Sequence, residues 1–383
     1  MVQAAYIHIP FCEHICHYCD FNKIFIKNQP VEGYLRSLQK ELEISAEKHG
    51  TSELKTIFIG GGTPTALNEK QLEFLLEAIR AELNPDYKAV EFSMEANPGD
   101  LSYEKLKILK EGGINRLSIG VQSFQDELLK EIGRVHRKED VFRTVNDARR
   151  AGFENISLDL MFGLPGQTAA DFKETLELAF TLDAEHYSAY SLIVEPKTVF
   201  YNLMQKGKLS LPPQEEEAIM YEMLMAEMEK KGFHQYEISN FSLPGMESLH
   251  NLTYWNNDSY FGFGAGAHGY VKGIRTVNAG VLSKYMKMIE ESEFPYIAEN
   301  KVTLQEQMEE EMFLGLRKTA GVSKSLFSEK YGIEVNAIFA AAILEQKEKG
   351  LLEEDEDHIR LTHQGKLLGN EVFQAFIGLP LGR

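Results

Sequence analysis

Apolar and polar positions change period repeatedly along the first 195 residues. Apolar runs at 4–9, 55–59, 90–96, 116–122, 156–161 and 186–193 have the length and β-branched or aromatic content of buried strands. Between them, residues 31–49, 68–83, 102–111, 138–151 and 170–182 repeat apolar side chains every three or four positions, the pattern of amphipathic helices. Asn68 stands where a helix N-cap is expected. Six β-then-α units with short connections predict an α/β fold with a parallel sheet and right-handed crossovers. No GxGxxG follows the first run, so a barrel-like array fits better than a dinucleotide-binding fold. Such arrays gather their chemistry at the C-terminal ends of strands. The unusual residues fall there: cysteines after the first strand, Gly60 to Gly62 after the second, Glu95 in the third, Gln122 in the fourth and Asp159 in the fifth. That clustering predicts one shared pocket.

Beyond residues 209–213 the pattern changes. Residues 214–231 read as a long helix rich in Met and Glu, followed by a polar, aromatic stretch from 234 to about 297. From 303 onward, helices at 304–318 and 335–349, a hairpin at 351–362 and a helix at 363–376 have the order of a winged helix. The expected parts are 1–233, 234–302, 303–376 and a tail, 377–383, without fixed structure.

Composition narrows the class. The 383 residues are 43% hydrophobic and 26% charged, as in ordinary soluble globular proteins. No window reaches about 18 apolar residues, and the N-terminus lacks the basic and apolar regions of a secretory signal, so a cytoplasmic location is expected. A net charge of −18 repels phosphate backbones, and nucleic acid is not expected as a partner. The acidic winged-helix-like region then reads as an interaction module.

All three cysteines, Cys12, Cys16 and Cys19, lie in one loop spaced C-x3-C-x2-C. An odd number cannot all pair as disulfides, and so tight a loop disfavours bridges. Crowded thiolates point to a metal. Three thiolates on a [4Fe–4S] cluster leave one iron without a protein sulfur, open to an exogenous ligand. The alternative is a Cys3His zinc site using His8, His14 or His17.

Other residues have both a functional and a bland reading. Three glycines before Thr63 and Pro64 permit close backbone approach to a ligand, or merely a tight turn. Glu95 is a charge in an apolar strand that needs a partner if buried, or else faces solvent. Gln122, Arg134 and Asp159 draw weight only from their positions. His250, Asn251, Tyr254 and Trp255 form HNxxYW, which reads as an aromatic pocket offering a nitrogen to a metal, or as a strand edge with a satisfied core histidine. The glycine-rich run 261–270 has His268 as its candidate polar group.

The cysteine spacing, with Tyr18 just before the third cysteine, resembles the signature of radical S-adenosylmethionine (SAM) enzymes. Together with GGGTP at 60–64, EANP at 95–98, GVQS at 120–123, Asp159 followed by GLPG, and HNxxYW, it resembles more closely the haem-chaperone branch of the oxygen-independent coproporphyrinogen III oxidase (HemN-like) radical SAM family. The likeness runs from residue 4 to about 375. It implies a partial (βα)6 TIM-like radical SAM barrel with a mainly helical, winged-helix-like C-terminal domain. It implies that Cys12, Cys16 and Cys19 bind the cluster. Tyr6, Tyr18, Gly61, Gly62, Thr63, Glu95, Gln122, Arg134 and Asp159 would contact SAM, with Ile193 and His268 near further contact positions. His250 would be the haem ligand or close to it.

Within that family the oxidases carry a fourth cysteine two residues after the third, where this chain has Phe21. They also have a long N-terminal extension, whereas few residues precede the first strand here, and HNxxYW belongs to the chaperone branch. The resemblance therefore implies a haem chaperone that binds a [4Fe–4S] cluster, SAM and haem. It would deliver haem to acceptors such as respiratory haem enzymes, with peripheral membrane contact. The competing expectation is an oxidase that converts propionates of coproporphyrinogen III to vinyl groups.

Overall fold

A computed structural model describes residues 2–50 and 54–378. Six strands lie side by side in chain order, each parallel to the next: β1 (Ala4–Ile9), β2 (Thr56–Gly61), β3 (Glu91–Ala96), β4 (Arg116–Gln122), β5 (Asn155–Phe162) and β6 (His186–Ser191). Helices Val31–His49, Glu69–Leu83, Tyr103–Glu111, Lys138–Arg150 and Ala169–Phe180 connect them. The expected parallel (βα)6 array is present, with boundaries within two residues at nearly every element. Asn68 caps its helix, accepting from the Gln71 N–H at 3.0 Å.

Each strand alternates. Ile57, Phe92, Leu117, Leu158 and Tyr187 are fully buried in the main apolar core. Each such side chain contributes about 1.5–3 kcal/mol by leaving water. The opposite face carries Ser93, Glu95, Arg116, Ser118, Ser157 and Asp159, and is polar. The array therefore encloses a polar interior.

The sheet continues past both ends of the six strands, to twelve in all. Asn240–Ser242 runs antiparallel to β6, with His234–Glu237 outside it. Tyr260–Phe263 runs parallel to β1, followed outward by His268–Val271, Ile274–Asn278 and Tyr296–Lys301. The stretch read as merely polar and aromatic is thus mostly sheet. Buried Glu41 fastens this extension, accepting from the Gly264 N–H (2.8 Å), Asn278 Nδ2 (2.7 Å) and the Tyr285 hydroxyl (2.6 Å). Burial raises its carboxyl to about 7.

The C-terminal region has its own core around Met312, Phe327, Phe339, Ile359 and Phe376. Helices Leu304–Gly315, Lys324–Tyr331 and Val335–Glu348 pack with a three-stranded sheet, Val322–Ser323, Leu352–Glu354 and His358–Leu361. This is the expected winged-helix order with one additional helix. The helix expected over 363–376 is two, His363–Leu367 and Gly369–Gln374, because Leu368 departs from helical geometry and Gly369 favours a break. Of the expected unstructured tail, 379–383 lie outside the described residues. No described helix is long and apolar enough to cross a membrane.

Candidate functional site

The cysteine loop leaves β1 through Phe11–Cys12, which pairs with Ile24–Phe25. Cys12 is buried; Cys16 and Cys19 are partly exposed. Thr63 Oγ1 lies 3.7 Å from Cys12 Sγ, and Arg134 Nη1 lies 3.5 Å from Cys16 Sγ. Lys23 donates to the Cys19 carbonyl. Burial pushes the Cys12 thiol up to about 11, so its thiolate needs a cation beside it. Among the described residues, no three His, Cys, Asp or Glu side chains converge on a single-ion site. His8 donates from Nε2 to the Asn22 carbonyl (2.7 Å) and accepts at Nδ1 from the Tyr6 hydroxyl (3.0 Å). His17 donates from Nδ1 to the Glu131 carbonyl (2.8 Å). His8 is committed at both ring nitrogens and His17 at Nδ1 alone, which weighs against a Cys3His zinc site through His8. Three thiols flanked by Arg134 and Lys23 suit a polynuclear, thiolate-bound cluster with its net negative charge.

The glycine loop packs directly onto this loop. A Cβ on Gly62 would lie 2.9 Å from Cys12 Sγ and 2.8 Å from the Phe11 carbonyl oxygen. Gly61 has φ +118°, and a Cβ there would meet the His8 ring at 2.5 Å. These positions are therefore glycine at least partly for the sake of neighbouring chain, alongside any ligand.

The predicted residues form two adjoining groups. Tyr6, Gly61, Glu95, Asp159 and His250 line a cavity of about 270 Å³ inside the barrel. Gly62, Thr63, Tyr18 and Arg134 form a collar around the thiols, with Gln122 beside Arg134 at Gly120. In the collar, Asn97 donates to Thr63 Oγ1 (3.0 Å), and Arg134 donates to Asn97 Oδ1 (2.9 Å) and to the Gly120 carbonyl. Gln122 sits at a β-bulge with φ +65°. A Cβ on Gly120 would fall 2.5 Å from Arg134 Nη2, so only glycine leaves that guanidinium its place.

In the cavity, Glu95 accepts from the Gly61 N–H at 3.0 Å. Loss of water around it, then the Asp159 charge, raises its carboxyl to about 8 against the pull of that hydrogen bond. Asp159 accepts from Ser118 Oγ at 3.0 and 3.1 Å, and burial holds its carboxyl up to about 6. Two carboxyls with raised values in one polar cavity mark a place built for a ligand.

His250 does not sit on a strand edge. It belongs to the helix Leu249–Trp255, capped by Ser248, which closes the cavity floor. Its backbone N–H and that of Leu249 donate to the Glu91 carboxylate (3.1 and 3.0 Å). The ring is 1% exposed and lies between Phe58 and Tyr254. Nδ1 is 2.8 Å from Thr56 Oγ1, and Nε2 is 2.9 Å from the Tyr254 hydroxyl. Burial lowers its value to about 3, so the ring is neutral. Ligation of a metal by Nε2 requires the Tyr254 hydroxyl to leave it. Trp255 points elsewhere, lying 4.5 Å under the Arg317 guanidinium of the C-terminal region.

Ile193 is 64% exposed, and His268 lies on the outer sheet extension; neither lines the cavity. Sequence reading missed Arg116, Ser118 and Ser188, which do. The signal was a polar residue at every second position of a strand, as in Arg116 and Ser118.

A barrel opening onto a three-thiol loop, with a polar cavity beneath it, defines a radical SAM protein. The radical SAM superfamily model matches residues 6–179 and the HemN C-terminal domain model residues 302–368. The heme chaperone HemW of Bacillus subtilis is 63% identical over 377 residues, covering 98% of this chain and all of that one. That of Lactococcus lactis is 45% identical over 375 residues, covering 98% and 97%. The chain belongs to the HemW heme chaperone family. Among solved structures, the coproporphyrinogen III oxidase HemN of Escherichia coli superposes with a TM-score of 0.84 over 98% of this chain and 90% of that one, at 24% identity, a likeness of fold.

Proposed function

We propose that this protein is a haem chaperone that binds a [4Fe–4S] cluster, SAM and haem and passes haem to acceptor proteins. The observation that carries this is 63% identity, across 98% of the chain, to a heme chaperone. Cys12, Cys16 and Cys19 would hold the cluster. When bound, that cluster supplies an electron and an open iron for the amino and carboxylate groups of SAM. Gly62, Thr63, Tyr18, Gln122 and Arg134 would orient the end of SAM nearest the thiols. Tyr6, Gly61, Glu95 and Asp159 would receive the remainder. Glu95, its carboxyl raised to about 8 by burial, can donate a hydrogen bond near neutral pH as well as accept one. His250 is the candidate haem contact. The parts 1–233, 234–302 and 303–376 would be the radical SAM barrel, its extension carrying HNxxYW, and a family-specific module. We place the protein in the cytoplasm, with acceptors that include respiratory haem enzymes at the membrane surface.

The test is anaerobic reconstitution followed by haem titration and a coproporphyrinogen III turnover assay on the same sample. The expected outcome is a haem absorption shift that saturates, with no protoporphyrinogen IX formed. Conversion of coproporphyrinogen III would overturn the chaperone reading in favour of the oxidase.

A further inference from the structure

Arg116 opens β4 on the polar face of the barrel and is 2% exposed. Among the described residues it has no ion pair and no hydrogen bond, and its Nε is buried without a partner. Ser93, its cross-strand neighbour on β3, also buries its Oγ with no partner. The nearby acids make no ion pair with it. Asp159 accepts from Ser118 and feels the Arg116 charge without touching it. Glu91 is taken by the N-terminus of the floor helix, and Glu237 accepts at Oε1 from Asn240 and the Ser239 N–H, its buried Oε2 having no partner. A buried guanidinium with no direct ion pair is expensive, and such charges are normally paired. Arg116 nevertheless lines the cavity beside Ser118, Ser188 and Asn251, so a bound molecule can reach it.

We propose that Arg116, backed by the buried Ser93 hydroxyl, forms a carboxylate-binding site at the barrel floor, and that it takes a propionate of haem. This rests on the haem reading above. A guanidinium fork and a hydroxyl are all donors, which suits a two-oxygen anion. The carboxylate of SAM is an unsuitable occupant by position. Arg116 begins β4 and Gln122 ends it, and at about 3.3 Å per residue the site lies on the order of 20 Å of strand from the thiol collar. His250 and Asn251 border the same space, so a tetrapyrrole with its propionate on Arg116 lies against HNxxYW.

The test compares wild type, Arg116→Met, Arg116→Lys and Ser93→Ala as reconstituted full-length protein. Each is titrated with haem, with haem dimethyl ester and with SAM. Wild type is expected to bind haem at least tenfold more tightly than the ester. Arg116→Met should lose that tenfold and treat the two alike, with SAM affinity changed less than threefold. Arg116→Lys, which keeps the charge without the fork, should fall between. Retained discrimination in Arg116→Met, or a loss confined to SAM, overturns the proposal and leaves the haem reading standing. Absence of haem binding by wild type overturns both. Met fills the volume of the arginine's apolar stem and removes a buried charge that has no direct ion pair, so the variant should fold. If it does not, retained ester discrimination in both Arg116→Lys and Ser93→Ala overturns the site.

Discussion

His250→Ala should destabilise the ligand-free protein by about 4 kcal/mol, before any effect on haem. The ring is fully enclosed, its centroid 5.2 Å from Phe58 and 4.9 Å from Tyr254. Emptying an aromatic site of that kind costs about 3 kcal/mol at the low end of the aromatic range, since imidazole is smaller than phenyl. The Thr56 and Tyr254 hydroxyls each lose a ring partner, about 1 kcal/mol apiece. Water entering from the adjoining cavity offsets part of this. Taking about 2.1 cal/mol/K per residue over a barrel of roughly 300 residues, the midpoint should fall by about 6 °C. Circular dichroism melts of the ligand-free protein measure it. A midpoint within 1 °C of wild type would refute the packing argument. His250→Gln retains a donor and an acceptor and should recover at least half of the loss. Haem binding is therefore best compared between wild type and Gln. If the histidine ligates iron, Gln loses the haem absorption band while remaining stable; if the ring only supports the floor helix, Gln keeps the band.

Three further outcomes follow from the geometry. Buried His250 and His136 have values of about 3 and about 4, against 6.5 when unfolded. The unfolded chain binds those protons first, so each histidine removes about 1.4 kcal/mol of stability per pH unit as pH falls below 6.5. Glu41, raised to about 7, works in the opposite direction: the folded state keeps a proton that the unfolded chain sheds above 4.5, and stability falls as pH rises from 4.5 to 7. Urea melts of Glu41→Gln against wild type should diverge in favour of the variant by about 1.4 kcal/mol per pH unit across that window. This rides on a constant penalty, because the new amide faces Asn278 Nδ2; a pH-independent difference would count against the buried carboxyl's role. Gly61→Ala should cost about 2 kcal/mol or more and lower iron content after reconstitution, through its positive φ and the His8 ring. Gly166→Ala, with φ +75° and nothing within 4 Å of the added carbon, is the control at about 1 kcal/mol with normal iron. Cys16→Ala should fail to reconstitute the [4Fe–4S] absorption spectrum; a full spectrum would mean that the loop is not the cluster site.

The barrel was legible because its outward-facing residues obey simple rules. Ile57, Phe92 and Leu117 recur within short runs, and Asn68 caps one of the intervening helices. The cysteine loop was legible because an odd, tight set of thiols has few uses. The inner face was harder to read. Its polar residues alternate with apolar ones, so a strand such as 116–122 reads as apolar on average while presenting Arg116 and Ser118 to the cavity. The outer strands from 234 to 301 were missed because their pairing is non-local: Tyr260–Phe263 is a strand because β1 offers it an edge.

HNxxYW shows why a motif of this kind resists a sequence-only reading. Both readings held it together as one surface, a pocket wall or a strand edge. On a helix, residues four apart share a face and the next one along does not. His250 and Tyr254 accordingly meet over the cavity, while Trp255 turns beneath Arg317, which also lies 5.7 Å over Phe373. The Lys318 ammonium reaches Asn256 Oδ1 at 2.6 Å from the same side. One short helix thus closes the barrel with one face and holds the C-terminal region with the other. The motif's aromatic content follows from two separate packing demands, of which only one concerns a ligand.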